Sequence, residues 1–142
     1  MKISEHIEIE KELGHNLEKI KRQFARRKNL NPEDYDYLSN DSSFKVRVIV
    51  ARNPSTPQYV LERIVKTTPS IGAQSIILLR AVAKNPSTSS HLLSTLLIKS
   101  RSTAVRKHVL FNYWKKVKRG SIQLNQKQHY DFIDAIFKCV WR

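Results

Sequence analysis

The chain has 142 residues, about one average domain, and 40% of them are apolar, enough for a single core. Cys139 is the only cysteine, which excludes an internal disulfide and a clustered cysteine metal site. Twenty-six Lys and Arg against twelve Asp and Glu give a formal charge of +14, which favours a polyanionic partner.

Only three glycines and five prolines interrupt a chain rich in Ile, Leu and Lys, a composition that predicts helices over a turn-rich sheet. Met1 to Leu13 carries Glu5, Glu8, Glu10 and Glu12 where a secretory leader would be apolar. The strongest apolar run, Ile76 to Leu79, is far too short for a membrane span. The expectation is a soluble protein, cytoplasmic or nucleoid-associated.

The charge is uneven. Residues 1–62 hold eleven basic and ten acidic side chains, whereas Arg63 to Tyr130 holds thirteen Lys and Arg and no Asp or Glu. A solvated face normally mixes signs, so a one-sign stretch of this length predicts a field with a use.

In chain order, residues 1–29 read as one amphipathic helix from Ser4, as cap, to Lys28, with Ile7, Leu13, Leu17, Ile20 and Phe24 forming its stripe. Asn31-Pro32-Glu33-Asp34 is a helix start, with a capping Asn and proline in the first turn. Residues 30–119 then show recurrence. Val46 to Thr56 returns as Leu78 to Thr88, with identities at Val50/Val82, Ala51/Ala83, Asn53/Asn85, Pro54/Pro86, Ser55/Ser87 and Thr56/Thr88. Val105 to Asn112 is a third, weaker copy that has Tyr113 in place of proline, and Asn31-Pro32 reads as a degenerate upstream copy.

Each run before Asn reads as a helix that the Asn-Pro pair ends, because proline cannot continue it and pushes the preceding residue out of the helical region. Thr56 or Thr88 then caps a second helix, with Pro57 at its first position. The second helix is apolar along Val60, Leu61, Ile64 and Val65 in one copy and along Leu92, Leu93, Leu96 and Leu97 in the other. Neither helix can bury its face alone, so the copies must stack. Thr67 to Ser75 either lengthens a connection or starts the next helix early. Gly120 is a helix stop, and residues 120–142 form a capping helix from about Asn125 to Trp141, with Cys139 a small core residue.

The pattern Val-Arg-x-x-Val-Ala-x-Asn-Pro-x-Thr-Pro-x-x-x-Leu, Val46 to Leu61, resembles the leucine-rich repeat variant family. The resemblance covers Asn31 to Asn112. It implies an all-α, short right-handed helical-repeat solenoid of HEAT-like appearance, with a binding surface and no reaction of its own. Irregular spacing and the missing third proline depart from the family pattern. Members that carry an N-terminal cysteine cluster hold an iron–sulfur centre; this chain lacks those cysteines, so no cofactor is expected.

Arg47, Arg52, Arg80, Lys84, Arg106 and Lys107 occupy recurrent places and would line up when copies stack; Arg52 is equivalent to Lys84, and Arg47 to Arg106. The densest cluster is Lys99, Arg101, Arg106, Lys107, Lys115, Lys116, Lys118 and Arg119, interleaved with His108, Tyr113 and Trp114. Cations beside aromatic rings suit phosphate contact with base stacking, although long basic side chains also cover apolar neighbours and solubilise a face. Asn53 and Asn85 have a sufficient explanation as turn residues.

His6, His15, His91, His108 and His129 show no metal-ligand spacing, and there is no Gly-rich phosphate loop. The leading expectation is a nucleic-acid-binding protein that reads backbone and not sequence, with an acidic protein as another polyanionic partner. The alternatives are a protein-interaction scaffold, an acidic membrane surface, and a nucleic-acid enzyme of the kind HEAT-like DNA glycosylases represent. For that enzyme Tyr113, Trp114, Asp131 and Trp141 are the eligible residue types. Asp131 and Asp134 otherwise serve to neutralise nearby lysines.

Overall fold

The computed structural model describes residues 1–141. The side chains of Ile136, Cys139, Val140 and Trp141 lie outside the described set, and with them the expectations placed on the Cys139 thiol and the Trp141 ring. Among the described residues all regular structure is helical: α1 Ile3–Glu12, α2 Leu17–Arg26, α3 Pro32–Ser39, α4 Phe44–Arg52, α5 Gln58–Thr67, α6 Ala73–Lys84, α7 Ser90–Lys99, α8 Thr103–Lys118 and α9 Gln126–Trp141.

The single helix expected over residues 1–29 is two. Gly14 takes φ +73°, its N–H bonds the Lys11 carbonyl at 3.0 Å, and the His15 N–H bonds that of Glu10 at 3.1 Å. This left-handed closure satisfies two of the free carbonyls at the end of α1. Asn16 then starts α2, its side chain accepting from the Lys19 N–H at 3.1 Å. The apolar stripe runs across the break, so periodicity does not reveal it. Ser4 lies inside α1; the chain enters from Lys2, whose N–H bonds Glu5 Oε2 at 3.2 Å.

Pro32 opens α3 as expected, but the Asn31 side chain makes no capping bond. Tyr35 is buried and ties α3 back to the end of α2: its hydroxyl donates to the Arg27 carbonyl at 2.9 Å and accepts from the Leu30 N–H at 3.2 Å.

Asn53 and Asn85 end α4 and α6 in extended conformation, each followed by proline. Thr56 and Thr88 do not cap the next helices. Their buried hydroxyls turn back and donate to the carbonyls of Val50 at 2.6 Å and Val82 at 2.7 Å. Proline has no N–H, and the threonine hydroxyl adds a donor to the last-turn carbonyl. Pro57 precedes α5, and Ser89 caps α7 by accepting from the Leu92 N–H at 3.2 Å. The segment between Thr67 and Ser75 does both things expected of it: α6 follows a loop and has 12 residues against 9 in α4.

Successive helices α2, α4, α6 and α8 pack side by side, while α3, α5 and α7 pack on α4, α6 and α8 respectively. Between these layers lie Val46, Val50, Val60, Leu61, Leu79, Val82, Leu93, Leu96 and Val105, all fully buried. Each such side chain contributes about 1.5–3 kcal/mol of apolar burial.

Hydrogen bonds run through the first layer in a fixed register. Asn53 Nδ2 donates to the carbonyls of Ala25 and Arg27, both at 2.8 Å. Asn85 Nδ2 donates to those of Ala51 and Asn53, and Asn112 Nδ2 to those of Ala83 and Asn85, all at 2.9 Å. Arg27, not Asn31, therefore stands upstream of Asn53 in this register. Pro54 and Pro86 break their helices after Asn; with Tyr113 in that place, α8 passes through Asn112 and adds nearly two turns. It stops at Gly120, φ +75°, where the Gly120 N–H bonds the Val117 carbonyl and the Ser121 N–H that of Lys116, both at 3.0 Å. Asn125 caps α9, and Phe132 seats it against Leu110, Tyr113 and Trp114 of α8.

Candidate nucleic-acid interface

The asparagine register fixes which surface residues are neighbours. The residues just before Arg27, Asn53, Asn85 and Asn112 are Arg26, Arg52, Lys84 and Phe111, and all four are exposed. Adjacent packed helices lie roughly 8–10 Å apart, so these side chains form a stripe of three cations ending in an aromatic ring. Arg52 and Lys84 were legible as equivalents from sequence; Arg26 was not, because the upstream copy was placed at Asn31.

Several of the expected cations have work inside the fold. Arg47 and Arg106 are equivalent, and each donates through Nη1 to the carbonyl six residues before it, Asp41 at 3.3 Å and Ser100 at 3.4 Å. Arg106 Nη1 also bonds the Leu97 carbonyl at 2.8 Å. These guanidinium groups tie down the loops entering α4 and α8. Lys99 Nζ bonds the Val65 carbonyl, so it fastens α7 to the end of α5, and Lys116 Nζ reaches the Pro86 carbonyl at 3.2 Å. Arg47, Lys99 and Arg106 therefore have a structural explanation that does not involve a ligand.

Trp114 is not an open stacking platform. It is half-buried, stacked on Phe132 with centroids 6.0 Å apart and planes 17° apart, and Lys118 Nζ lies 5.6 Å from its ring. Tyr113 also packs on Phe132, centroids 4.8 Å apart. Asp131 is exposed on α9.

The other basic residues do converge. A shallow groove of about 590 Å³ runs between the end of α6 and the outer face of α8, lined by Lys84, Lys107, Lys115, Lys116 and Arg119, with His108 and Phe111 among them. Phe111 is 60% exposed, and Lys115 Nζ lies 4.8 Å from its ring centroid. Sequence reasoning passed over Phe111; the signal that finds it is its register with Arg52 and Lys84. Arg80 lies half-buried one turn before Lys84, and Arg101 is exposed in the α7–α8 connection.

Among the described residues, no carboxylate lines this groove or lies within salt-bridge distance of Lys84, Lys107, Lys115, Lys116 or Arg119. Of the carboxylates outside the acid-free stretch, Asp36 pairs with Arg63, and Asp134 pairs with Lys138 at 2.8 Å on α9. The field in the groove is therefore uncompensated. His108 registers it: burial first, then the charges of Lys84 and Arg80, hold its pKa below the ordinary histidine value. No group of His, Cys, Asp and Glu among the described residues is arranged to hold a metal ion, and no helix among them is long and apolar enough to cross a membrane.

Compared with protein-family models, curated proteins and solved structures, the chain matches none.

Proposed function

We propose that this chain is a short right-handed helical-repeat solenoid, related in design to the leucine-rich repeat variant, that binds nucleic acid through its phosphate backbone without catalysing a reaction. The recurring asparagine bonds between α2, α4, α6 and α8 support the repeat reading, since each unit hands the same two carbonyls to the next. One observation carries the functional reading: Lys84, Lys107, Lys115, Lys116 and Arg119 converge on a groove with no carboxylate of the described residues beside them.

Phosphates entering that groove would release counterions, so affinity should fall steeply and linearly in log–log form as salt rises. Few contacts would reach base edges, so duplex sequence should matter little. The experiment is a binding titration of the purified protein with short DNA and RNA between roughly 50 and 300 mM salt. Saturable binding with a steep slope supports the reading. No binding at the lowest salt removes it, and leaves a scaffold that docks protein.

A further inference from the structure

The groove has one residue that phosphate binding does not need. At the level where the three preceding helices present Arg26, Arg52 and Lys84, α8 presents Phe111. The phenyl ring is 60% exposed at a level where the chain otherwise places a cation. It is not isolated: Lys84 and Lys107 flank it from α6 and α8, and Lys115 lies 4.8 Å from its centroid. The groove, at about 590 Å³, falls in the range of small-ligand sites, roughly 300–1,000 Å³.

Building on the phosphate-binding reading, we propose that the groove takes a single strand in preference to a duplex, with one unpaired base stacked on the Phe111 ring. Lys115 occupies one side of the ring as a cation–π partner, and the base takes the other. The neighbouring phosphates then reach Lys84 on one side and Lys107 or Arg119 on the other. A duplex cannot offer this, because its bases are already paired and stacked. Every base has a π face, so the preference is for strandedness and not for sequence. DNA and RNA single strands present the same ring and phosphate, and both should bind.

The test uses the full chain and four fluorescent probes of equal length: single-stranded DNA, single-stranded RNA, duplex DNA, and an abasic DNA strand that keeps every phosphate but has no bases. The normal DNA strand should bind about tenfold tighter than the abasic strand, the size of one base–aromatic contact. Phe111→Leu should remove that difference. Phe111→Lys, which restores the cation of the other copies, should tighten the abasic strand and still erase discrimination. Thermal unfolding of both variants checks that they fold, as an exposed position predicts. Equal binding of normal, abasic and duplex strands overturns the stacking proposal while leaving phosphate binding intact. Absence of binding to all four probes overturns both.

Discussion

Asn85 Nδ2 lies 2.9 Å from the main-chain oxygen of Asn53, and the main-chain oxygen of Asn85 in turn receives Asn112 Nδ2 at the same distance. Asn53 and Asn85 each donate to the preceding unit and accept from the following one. Each Oδ1 is also used, accepting the Ser87 N–H at 2.9 Å in one case and the Ser55 N–H in the other. The side chain that shapes the turn is thus the one that sets the spacing between neighbouring helices. Lys84 and Phe111 sit one residue before links of this chain, so the geometry of the basic groove depends on it.

Removing a link should be expensive, because the amide is buried: the Ala51 carbonyl and the Ser87 N–H would lose its bonds, and the Asn53 carbonyl would keep the Thr56 N–H at 3.0 Å. Asn85→Ala should cost about 3 kcal/mol in urea unfolding, the sum expected for several orphaned buried groups. Asn85→Asp should cost more. It keeps the acceptor but offers a charged oxygen to two carbonyls, so repulsion replaces attraction. A loss under about 0.5 kcal/mol for Asn85→Ala would mean the ladder is geometric and not energetic.

Thr88→Val isolates a smaller contribution. The hydroxyl is fully buried and donates to the Val82 carbonyl at 2.7 Å, and valine fills nearly the same space. The expected loss is about 1 kcal/mol, with a similar loss for Thr56→Val. Had these threonines been helix caps, the damage would appear as fraying of α5 and α7. Hydrogen exchange should instead show it at the ends of α4 and α6.

Gly14→Ala tests the break between α1 and α2. No atom would crowd the new Cβ within 4 Å, so the cost is purely that of φ +73°, about 1 kcal/mol. Chemical shifts at His15 and Asn16 should move toward helical values. Unchanged stability and shifts would show that the turn does not need glycine.

The same residue shows what was legible in advance. Glycine followed two residues later by Asn16, a capping residue, is a stop-and-start signal, but apolar spacing from Ile7 to Phe24 masks it, since Leu13, 62% exposed in the structure, reads in sequence as part of one stripe. The Asn-Pro turns, the apolar faces of α5 and α7 and the Gly120 stop were readable because each is a local rule. What was not readable depends on partners far along the chain. Asn53 bonds residues 26 and 28 positions away, and Arg47 and Arg106 spend their donors on carbonyls. Charge counting treats those arginines as surface, and only the fold reveals which cations are committed. Phe111 was missed for the opposite reason: an apolar residue in a helix reads as core until its register is fixed.

His108 offers an internal probe of the groove. Its depressed pKa means the unfolded chain takes up a proton more readily than the folded one, so stability is full above the ordinary value of 6.5 and declines as pH falls below it. Facing His108 are Lys84 and Arg80 from α6, with Lys107 and Lys115 on its own helix; no carboxylate of the described residues lines the groove. In a proton NMR titration, Lys84→Gln should raise the His108 pKa toward 6.5 without reaching it, since burial is the larger cause. Saturating oligonucleotide should raise it further in the wild-type protein by bringing phosphate charge nearby. A His108 that titrates identically with and without the strand places the ligand elsewhere.

Cations that hold the fold and cations that hold a ligand should separate experimentally. Lys107→Gln and Lys115→Gln, both exposed, should leave urea unfolding within about 0.5 kcal/mol of the parent. Each should weaken strand binding similarly for all sequences, and should lower the salt slope by about one for every phosphate that is no longer neutralised. Arg106→Gln should do the reverse. Its guanidinium holds the Leu97 and Ser100 carbonyls at 2.8 and 3.4 Å, so its loss should destabilise the α7–α8 junction by about 1–3 kcal/mol and leave the salt slope near its parent value. Arg47→Gln should behave like Arg106→Gln at the entry to α4, since the two share one bonding pattern. If all four variants lost affinity in proportion to lost stability, the groove would have no electrostatic role of its own, and the thirteen cations from Arg63 to Tyr130 would serve the fold and its solubility alone.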